Sequence, residues 1–305
     1  MNILVLGANG QVGREIVELA QTLPDNSVRV VGMGSRELDI TNAQAVKQTV
    51  NTLKPSIVIN AAAYTAVDKA ESEPDQAFAV NRDGAGNIAQ SCADLKIPML
   101  HISTDYIFDG TKSSAYTEQD PANPRCVYGH SKWQGEQLVR QSLDQHIILR
   151  TSWVFGRYGH NFVYTMMRLA QKQSVLRIVN DQHGCPTCAS SIASALLTIC
   201  DAVYNNQKSN WGEYHFCGTP ATTWFEFCNQ ILDMSRGDYL SMVKQVVPIE
   251  SKDFPTPAQR PKNSVLHCGK IQEIFGIVQP DWHDGLHNML EFQRINALNK
   301  NNPAL

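Results

Sequence analysis

Short apolar runs alternate with amphipathic stretches through the first half of the chain. Buried strands are predicted at residues 3–6, 28–31, 57–59, 99–103 and 147–150. Helices are predicted between them, with ends near residues 21, 54, 95 and 139. Such alternation is typical of a parallel sheet covered by helices on both faces. We therefore predict an α/β fold built on a doubly wound parallel sheet.

Two helix starts carry recognisable signals. Thr41 and Gln44 have the spacing of a capping box, which predicts that Thr41 caps the second helix. Pro74 suits the first turn of the next helix, because an N–H group there has no partner within the helix. That helix is predicted to continue to about residue 95.

The regular alternation ends near Trp153. Proline, tryptophan and irregular stretches are more frequent after that point, notably at residues 252–264. We predict a first domain at residues 1–152 and a smaller C-terminal domain at residues 153–305. Some later chain, roughly residues 188–218, is expected to pack back on the first domain.

Composition narrows the class of protein. Of the 305 residues, 43% are apolar and 18% charged, which excludes a collagen-like, coiled-coil or largely disordered chain. The net charge of −3 offers no basic surplus for nucleic acid. The apolar runs are far shorter than the ~20 residues of a membrane helix, and eight cysteines are too few for a disulfide scaffold. We therefore expect a cytoplasmic protein with free thiols and no nucleic-acid or membrane partner.

Three glycines, Gly7, Gly10 and Gly13, follow the first strand and open the first helix. In a dinucleotide-binding turn, such glycines allow a tight bend, close approach of a pyrophosphate, and close packing of helix on strand. The helix N-terminus adds free N–H groups and a partial positive charge. This turn predicts a Rossmann-like NAD(P)-binding domain.

The choice of cofactor depends on the residues after the second strand. Sites for NAD commonly have an acidic residue there to bind the ribose hydroxyls, but residues 31–36 contain none. Arg36, with Ser35 beside it, has the chemistry to hold a 2′-phosphate. We therefore favour NADPH, with NADH as the alternative.

Tyr128 and Lys132 lie four residues apart, which places both side chains on one face of a helix. The lysine charge is expected to lower the tyrosine pKa from near 10, so that Tyr128 exchanges a proton with a substrate oxygen. Lys132 can also bond the nicotinamide ribose. Thr104, at the end of the fourth strand, supplies a hydroxyl beside Tyr128.

The glycine turn, residues 60–63 and the set of Thr104, Tyr128 and Lys132 resemble the extended short-chain dehydrogenase/reductase family. One branch of that family, the dTDP-4-dehydrorhamnose reductases, is also similar at residues 103–110, 150–154, 180–187 and 255–261. The resemblance implies reduction of the 4-keto group of dTDP-4-dehydro-L-rhamnose. The product would be dTDP-L-rhamnose, the activated sugar for O-antigen and other cell-surface polysaccharides.

The resemblance also implies roles for individual residues. Cofactor contacts are implied for Gly10, Gln11, Val12, Asp39, Ile40, Ala62, Ala63, Tyr64 and Thr65. Substrate contacts are implied for Thr104, Asp105 and Trp153, and Asn81 matches the asparagine that supports the lysine in many members. Arg260 is a candidate clamp for the diphosphate, because a guanidinium pairs well with phosphate oxygens.

Some members of the family bind Mg²⁺ at a dimer interface through several glutamates. Glu15 matches one of these, whereas Ser190 and residues 291–292 depart from the others. The metal and the homodimer therefore stay open, and no metal ligand is predicted.

Two alternatives to this function remain open. One is another nucleotide-sugar reductase or epimerase of the same family. The other is an NADP-binding regulatory subunit similar to that of methionine adenosyltransferase. The complete set of Thr104, Tyr128 and Lys132 favours an enzyme.

Overall fold

The computed structural model describes residues 1–23, 28–205, 210–238 and 241–301. Its strands are β1 (Asn2–Leu6), β2 (Arg29–Met33), β3 (Ile57–Asn60), β4 (Met99–Thr104), β5 (His146–Thr151), β6 (Val154–Phe155), β7 (Val175–Val179), β8 (His183–Gly184), β9 (Thr187–Cys188), β10 (Gly212–His215), β11 (Thr222–Thr223) and β12 (Gln245–Ile249). Its α-helices are α1 (Gln11–Gln21), α2 (Ala43–Leu53), α3 (Val67–Ala70), α4 (Pro74–Phe78), α5 (Ala85–Leu95), α6 (Val127–Ser142), α7 (Phe162–Ala170), α8 (Ala189–Tyr204), α9 (Trp224–Met234), α10 (Gly269–Phe275) and α11 (Trp282–Asn301). Shorter elements are a π-helical segment at Ala79–Gly84 and 3₁₀ turns at Asp105–Ile107 and Ser251–Asp253.

Six strands form one parallel sheet in the order β10-β5-β4-β3-β1-β2. All five predicted strands lie in this sheet, so the predicted doubly wound α/β fold is confirmed. The central strands β1, β3, β4 and β5 are largely apolar and buried because helices cover both faces. β1 lies between β2 and β3, so the order of strands reverses there. In open α/β sheets, this reversal opens a ligand crevice beyond the carboxyl ends of the strands.

The helices form one layer on each face of the sheet. Ile3 and Val5 of β1 belong to the same buried cluster as Ile16 of α1 and Leu196 of α8. Leu4 points the other way, into a cluster with side chains of α2, α5 and α6. Successive side chains of a strand alternate between faces, so one short apolar run supplies both layers of the core.

The later half of the chain contributes to this sheet and also builds an aromatic core. β10 extends the sheet at β5, and α8 packs against α1, both within the segment expected to return to the first domain. Six short strands form three two-stranded sheets. Near them, Phe155, Phe227, Trp282 and Leu286 belong to another buried cluster. The division into two domains at residue 152 stays a prediction.

The predicted cap of α2 is wrong by one residue. Asn42 is the N-cap, and its Oδ1 accepts a hydrogen bond from the Ala45 N–H at 3.0 Å. Thr41 instead donates its hydroxyl to Asp39 at 2.8 Å. The nearby carboxylate competes for the threonine hydroxyl, so spacing alone does not identify the cap.

The helix predicted from Pro74 begins there but is interrupted by the π-helical segment. In that segment, the Asn81 carbonyl approaches α6 so closely that a Cβ on Gly135 would lie 2.1 Å from its oxygen. The Asn81 side chain donates to Ser131 Oγ at 2.9 Å, one residue before Lys132. π-Helical turns are frequent at functional sites, and this one packs directly on the helix that carries Tyr128 and Lys132.

Candidate active site

The glycine turn joins β1 to α1 in a geometry that fits a phosphate-binding loop. Gly7 has a φ of +81°, and a Cβ there would lie 2.5 Å from the Ala62 nitrogen. A Cβ on Gly13 would lie 2.2 Å from the Gly7 carbonyl oxygen, so only glycine allows this packing. Gly10 is exposed, and as the N-cap of α1 it provides no side-chain hydrogen bond. The first N–H groups of α1 are therefore suited to an anionic ligand.

The end of β2 carries both a cation and a carboxylate. Arg36 is exposed there, next to Ser35. The sequence argument missed Glu37, which follows immediately and accepts a hydrogen bond from the Gly34 N–H at 2.9 Å. This edge therefore has a group suited to a 2′-phosphate and another suited to ribose hydroxyls.

Residues 61–65 leave the carboxyl end of β3 beside the glycine turn. The Ala62 N–H donates to Asn60 Oδ1 at 3.1 Å, and the Tyr64 N–H donates to Asn81 Oδ1 at 2.8 Å. Two buried amide side chains thus hold the backbone of the segment that is implied to contact the cofactor.

The other residues implied to contact the cofactor have partners within the protein. Asp39 is exposed and accepts hydrogen bonds from the N–H and hydroxyl of Thr41. Ile40 is buried. On α1, Gln11 Oε1 accepts from Asn161 Nδ2 at 3.2 Å. Asp39 therefore holds the turn into α2, and Gln11 joins the glycine turn to the later half of the chain.

Thr104 meets Tyr128 at the carboxyl end of β4, and both are buried. The Thr104 hydroxyl donates to Asp105 Oδ1 at 3.0 Å and accepts from the Tyr106 N–H at 3.2 Å. Asp105 Oδ2 is buried and has no hydrogen-bond partner among the described residues. A buried, unpaired carboxylate oxygen beside two hydroxyls suits a ligand that brings its own hydroxyl groups.

Burial shifts the acids of this site towards their neutral forms. It raises the pKa of Asp105 to about 6. It also raises the pKa of Tyr128 above its usual value, although the hydrogen bond with Thr104 acts in the opposite direction. The expected lowering of the Tyr128 pKa by Lys132 is therefore wrong for this structure, because burial raises the pKa and Lys132 is not among the groups that shift it.

Lys132 is directed at the sheet beneath α6. Its Nζ donates to the Ile102 carbonyl at 2.7 Å and lies 3.4 Å from Nε2 of His101. Burial lowers the Lys132 pKa to about 8, whereas the charge of Glu136 raises it. Lys132 therefore titrates much closer to neutral pH than an exposed lysine does.

One helical turn further, α6 carries a buried ion pair. The two Glu136 oxygens accept hydrogen bonds from Arg150 at 3.0 and 2.8 Å, and Arg140 donates to Glu136 at 2.8 Å. Burial acts to raise the Glu136 pKa, but the charge and hydrogen bonds of Arg150 outweigh it, so the pKa falls to about 2. Glu136 therefore stays ionised.

Two residues implied to contact the substrate have partners within the protein. Trp153 has a φ of +46° and stacks on Trp224, with ring centroids 3.5 Å apart and an interplanar angle of 6°. Arg260 donates to the two carboxylate oxygens of Asp68 at 3.1 and 2.8 Å. The Arg260 charge is thus already balanced, and its role as a diphosphate clamp stays a prediction.

Glu15, which matches a magnesium ligand of some family members, is buried in an ion pair with Arg157. Arg157 also bonds Glu18 at 3.2 Å. Among the described residues, no group of His, Cys, Asp and Glu is arranged to hold a metal ion. All eight cysteines are buried and free. None of the helices over the described ranges combines the length and apolarity needed to cross a bilayer.

Known proteins match this chain over nearly its whole length. The sequence profile described as the RmlD substrate binding domain matches residues 1–295. A dTDP-4-dehydrorhamnose reductase from Aggregatibacter actinomycetemcomitans is 44% identical over 289 residues, which cover 94% of this chain and 97% of the relative.

Solved structures agree with the sequence match. A dTDP-4-dehydrorhamnose reductase from Clostridium acetobutylicum ATCC 824 has a TM-score of 0.88 at 36% identity, covering 96% of this chain and 100% of that one. The enzyme of that name from Bacillus anthracis, in complex with NADP, has a TM-score of 0.86 at 34% identity, covering 95% and 99%. This chain therefore belongs to the dTDP-4-dehydrorhamnose reductase family.

Proposed function

We propose that this protein reduces the C4 keto group of dTDP-4-dehydro-L-rhamnose to give dTDP-L-rhamnose, using NADPH or NADH. The observation that carries the proposal is the buried association of Thr104, Asp105 and Tyr128 at the end of β4. Relatives that match almost the whole chain carry the name of this reductase, and one was crystallised with NADP. Both findings support the reaction and the cofactor.

The glycine turn and the uncapped start of α1 fit the pyrophosphate of a dinucleotide. When bound, the reduced dinucleotide supplies a hydride to the keto carbon. At the other end of the crevice, Arg36 would pair with a 2′-phosphate, which favours NADPH. Glu37 would accept from ribose hydroxyls, which suits NADH.

Negative charge grows on the keto oxygen as the carbon is reduced, and Tyr128 is the proposed proton donor. Its raised pKa keeps the phenol protonated before the reaction, as a general acid requires. The Thr104 hydroxyl can turn from Asp105 to the same oxygen and stabilise its charge. Lys132 would bond the nicotinamide ribose.

The test supplies the purified protein with dTDP-4-dehydro-L-rhamnose and either NADPH or NADH, and measures dTDP-L-rhamnose by mass spectrometry. Tyr128→Phe should lower turnover by about 10²–10⁴-fold, the range for loss of a general acid, with unchanged cofactor affinity. Tyr116→Phe is the matched control, because Tyr116 is also buried but bonds Asp109.

Other outcomes would identify the alternatives. Turnover only with a different nucleotide sugar would indicate a sister enzyme. Cofactor binding with no turnover of any nucleotide sugar would favour a regulatory subunit. Near-normal turnover of Tyr128→Phe would remove Tyr128 as the proton donor.

A further inference from the structure

A buried chain of hydrogen bonds leads from the cofactor-side segment to Lys132 through Asn60 and His101. Both residues are 1% exposed. Asn60 Oδ1 accepts from the Ala62 N–H at 3.1 Å, and Asn60 Nδ2 lies 3.0 Å from His101 Nδ1. The other ring nitrogen, Nε2, lies 3.4 Å from Lys132 Nζ. Neither Asn60 nor His101 has a part in the reduction as described above.

The first link determines the direction of the others. A backbone N–H can only donate, so the Asn60 oxygen must face Ala62 and the Asn60 nitrogen must donate to His101. Nδ1 of His101 therefore carries no proton. Burial holds the His101 pKa well below its usual value, so the ring is neutral. The proton of a neutral imidazole that lacks one on Nδ1 is on Nε2, which faces Lys132.

The Nε2–H group of His101 cannot hydrogen-bond to an ammonium, because both groups are donors. A neutral Lys132 amine can accept a hydrogen bond from it. We propose that Asn60 and His101 are positioning residues that favour the neutral amine of Lys132 through the Nε2–H group of His101. The proposal rests on the function proposed above, in which Lys132 serves the reduction. It also connects Lys132 to the backbone of Ala62, next to the glycine turn.

Other charged groups near this pair do not reproduce the effect. From α6, Glu136 favours the ammonium form of Lys132, and Arg150 of β5 keeps Glu136 ionised. His146, also on β5, is close enough to His101 to influence its pKa, but its Nδ1 is bonded to the Leu143 carbonyl. β3 contributes the uncharged amide of Asn60. The chain of hydrogen bonds through His101 therefore opposes the attraction of Glu136.

Asn60→Asp reverses the direction of these hydrogen bonds and hardly changes the shape of the side chain. A carboxylate still accepts from the Ala62 N–H, but it also requires a proton on Nδ1 of His101. Nε2 then presents a lone pair to Lys132 and favours the ammonium. The Lys132 pKa should rise by about one unit or more, on the order of a hydrogen bond to a charged group.

The measurement is an NMR titration of lysine labelled with ¹³C at Cε, using the protein alone. The Lys132 signal is assigned by its loss in Lys132→Met. Because Asn60→Asp also adds a negative charge, the same substitution is made in a His101→Phe background. There the rise should be much smaller, because only the charge acts. A His146→Phe background, the matched control, should keep the full rise.

Two results would overturn the proposal: no rise in Asn60→Asp, or an equal rise with and without His101. Should His101→Phe fail to fold, the ¹⁵N shifts of His101 in the unaltered protein decide, because a proton on Nδ1 contradicts the proposed direction. No substrate is used, so these outcomes are independent of whether dTDP-L-rhamnose is formed.

Discussion

Two buried carboxylates, those of Asp105 and Glu136, have pKa values that are shifted in opposite directions. Asp105 is 2% exposed and Glu136 is fully buried. Burial raises the Asp105 pKa to about 6, whereas the pairing of Glu136 with Arg150 overcomes burial and brings its pKa to about 2. Both side chains are almost completely buried, so the difference in pKa comes from the groups that contact them. Arg150 bonds both oxygens of Glu136, whereas the groups that act on Asp105 are hydroxyls and backbone N–H groups without a positive charge.

The difference separates the structural region around Glu136 from the candidate site around Asp105. At the active-site end, Asp105 Oδ2 is buried without a hydrogen-bond partner in the described part of the chain. Each such group costs roughly 1–3 kcal/mol. Asp105 Oδ2 lies just beyond the carboxyl end of β4, where a sugar hydroxyl could satisfy it. Around Glu136, the protein itself supplies the hydrogen-bond partners, Arg140 and Arg150.

The largest expected effect comes from breaking the structural region. Arg150→Met leaves Glu136 buried, with Arg140 as its remaining hydrogen-bonded arginine among the described residues. Loss of one member of a buried ion pair typically costs about 3–5 kcal/mol, so the free energy of unfolding at pH 7 should fall by that order in urea denaturation.

The double variant Glu136→Gln/Arg150→Met tests the cause. It removes the buried charge together with its partner, so it should be more stable than Arg150→Met alone. If the double variant is instead the less stable of the two, the cost lies in lost packing and the comparison with Asp105 fails.

Five strands of the sheet were predictable because each contains a short apolar run, whereas β10 (Gly212–His215) has none and was not predicted. The details that failed depend on competition and on distant contacts. Thr41 has the right spacing for a cap, but Asp39 accepts its hydroxyl and Asn42 takes its place. The π-helical segment packs closely on Gly135, which residue spacing within the segment does not show.

For the candidate active site, residue type and position selected Thr104, Tyr128 and Lys132, whose catalytic roles stay predictions. The direction of the Tyr128 pKa was not predictable, because it depends on how deeply α6 buries the phenol. The contact of Asn60 with His101 was not predicted, because the two residues lie 41 positions apart and meet on neighbouring strands. The spacing of residues along one sequence does not indicate that such a pair is in contact.

The contribution of Asp105 to the stability of the fold should depend on pH. Asp105 has a pKa of 3.8 as a free carboxyl group and about 6 in the folded protein. Its ionisation therefore destabilises the fold progressively as pH rises from about 4 to 6, and the loss persists above pH 6. Asp105→Asn should be more stable than the unaltered protein by about 1–3 kcal/mol at pH 7.5, and this gain should vanish near pH 4.

Asp109→Asn is the matched control, measured by urea denaturation at the same pH values. Asp109 lies on the same loop, but its hydrogen bonds, the one from the Thr111 N–H above all, hold its pKa below the usual range. Its removal should destabilise the protein at neutral pH and matter less in acid. A gain for Asp105→Asn that is independent of pH would show that ionisation of Asp105 is not its source.

The smallest effect on stability is expected where the two halves of the chain meet at Asp68 and Arg260. Their side chains are 41% and 25% exposed, and such pairs contribute about 0–1 kcal/mol, so Arg260→Ala should hardly change unfolding. It should raise KM for the nucleotide sugar several-fold without changing cofactor affinity, if the guanidinium turns from Asp68 to the diphosphate. Lys262→Ala, which removes an exposed cation two residues away, is the control and should leave KM unchanged.

Asp68→Asn separates the charge of Arg260 from the position of its loop. Asp68 also accepts from the Ala258 N–H at 3.3 Å, and Ala258 packs in the same buried cluster as Tyr128. If Arg260 binds the diphosphate, weakening its pairing with Asp68 makes the guanidinium more available, and KM should fall or stay the same. If the pair only holds the loop over Tyr128, Asp68→Asn and Arg260→Ala should raise KM alike. A parallel rise would place Arg260 with Arg150, as a cation whose partner is the protein itself.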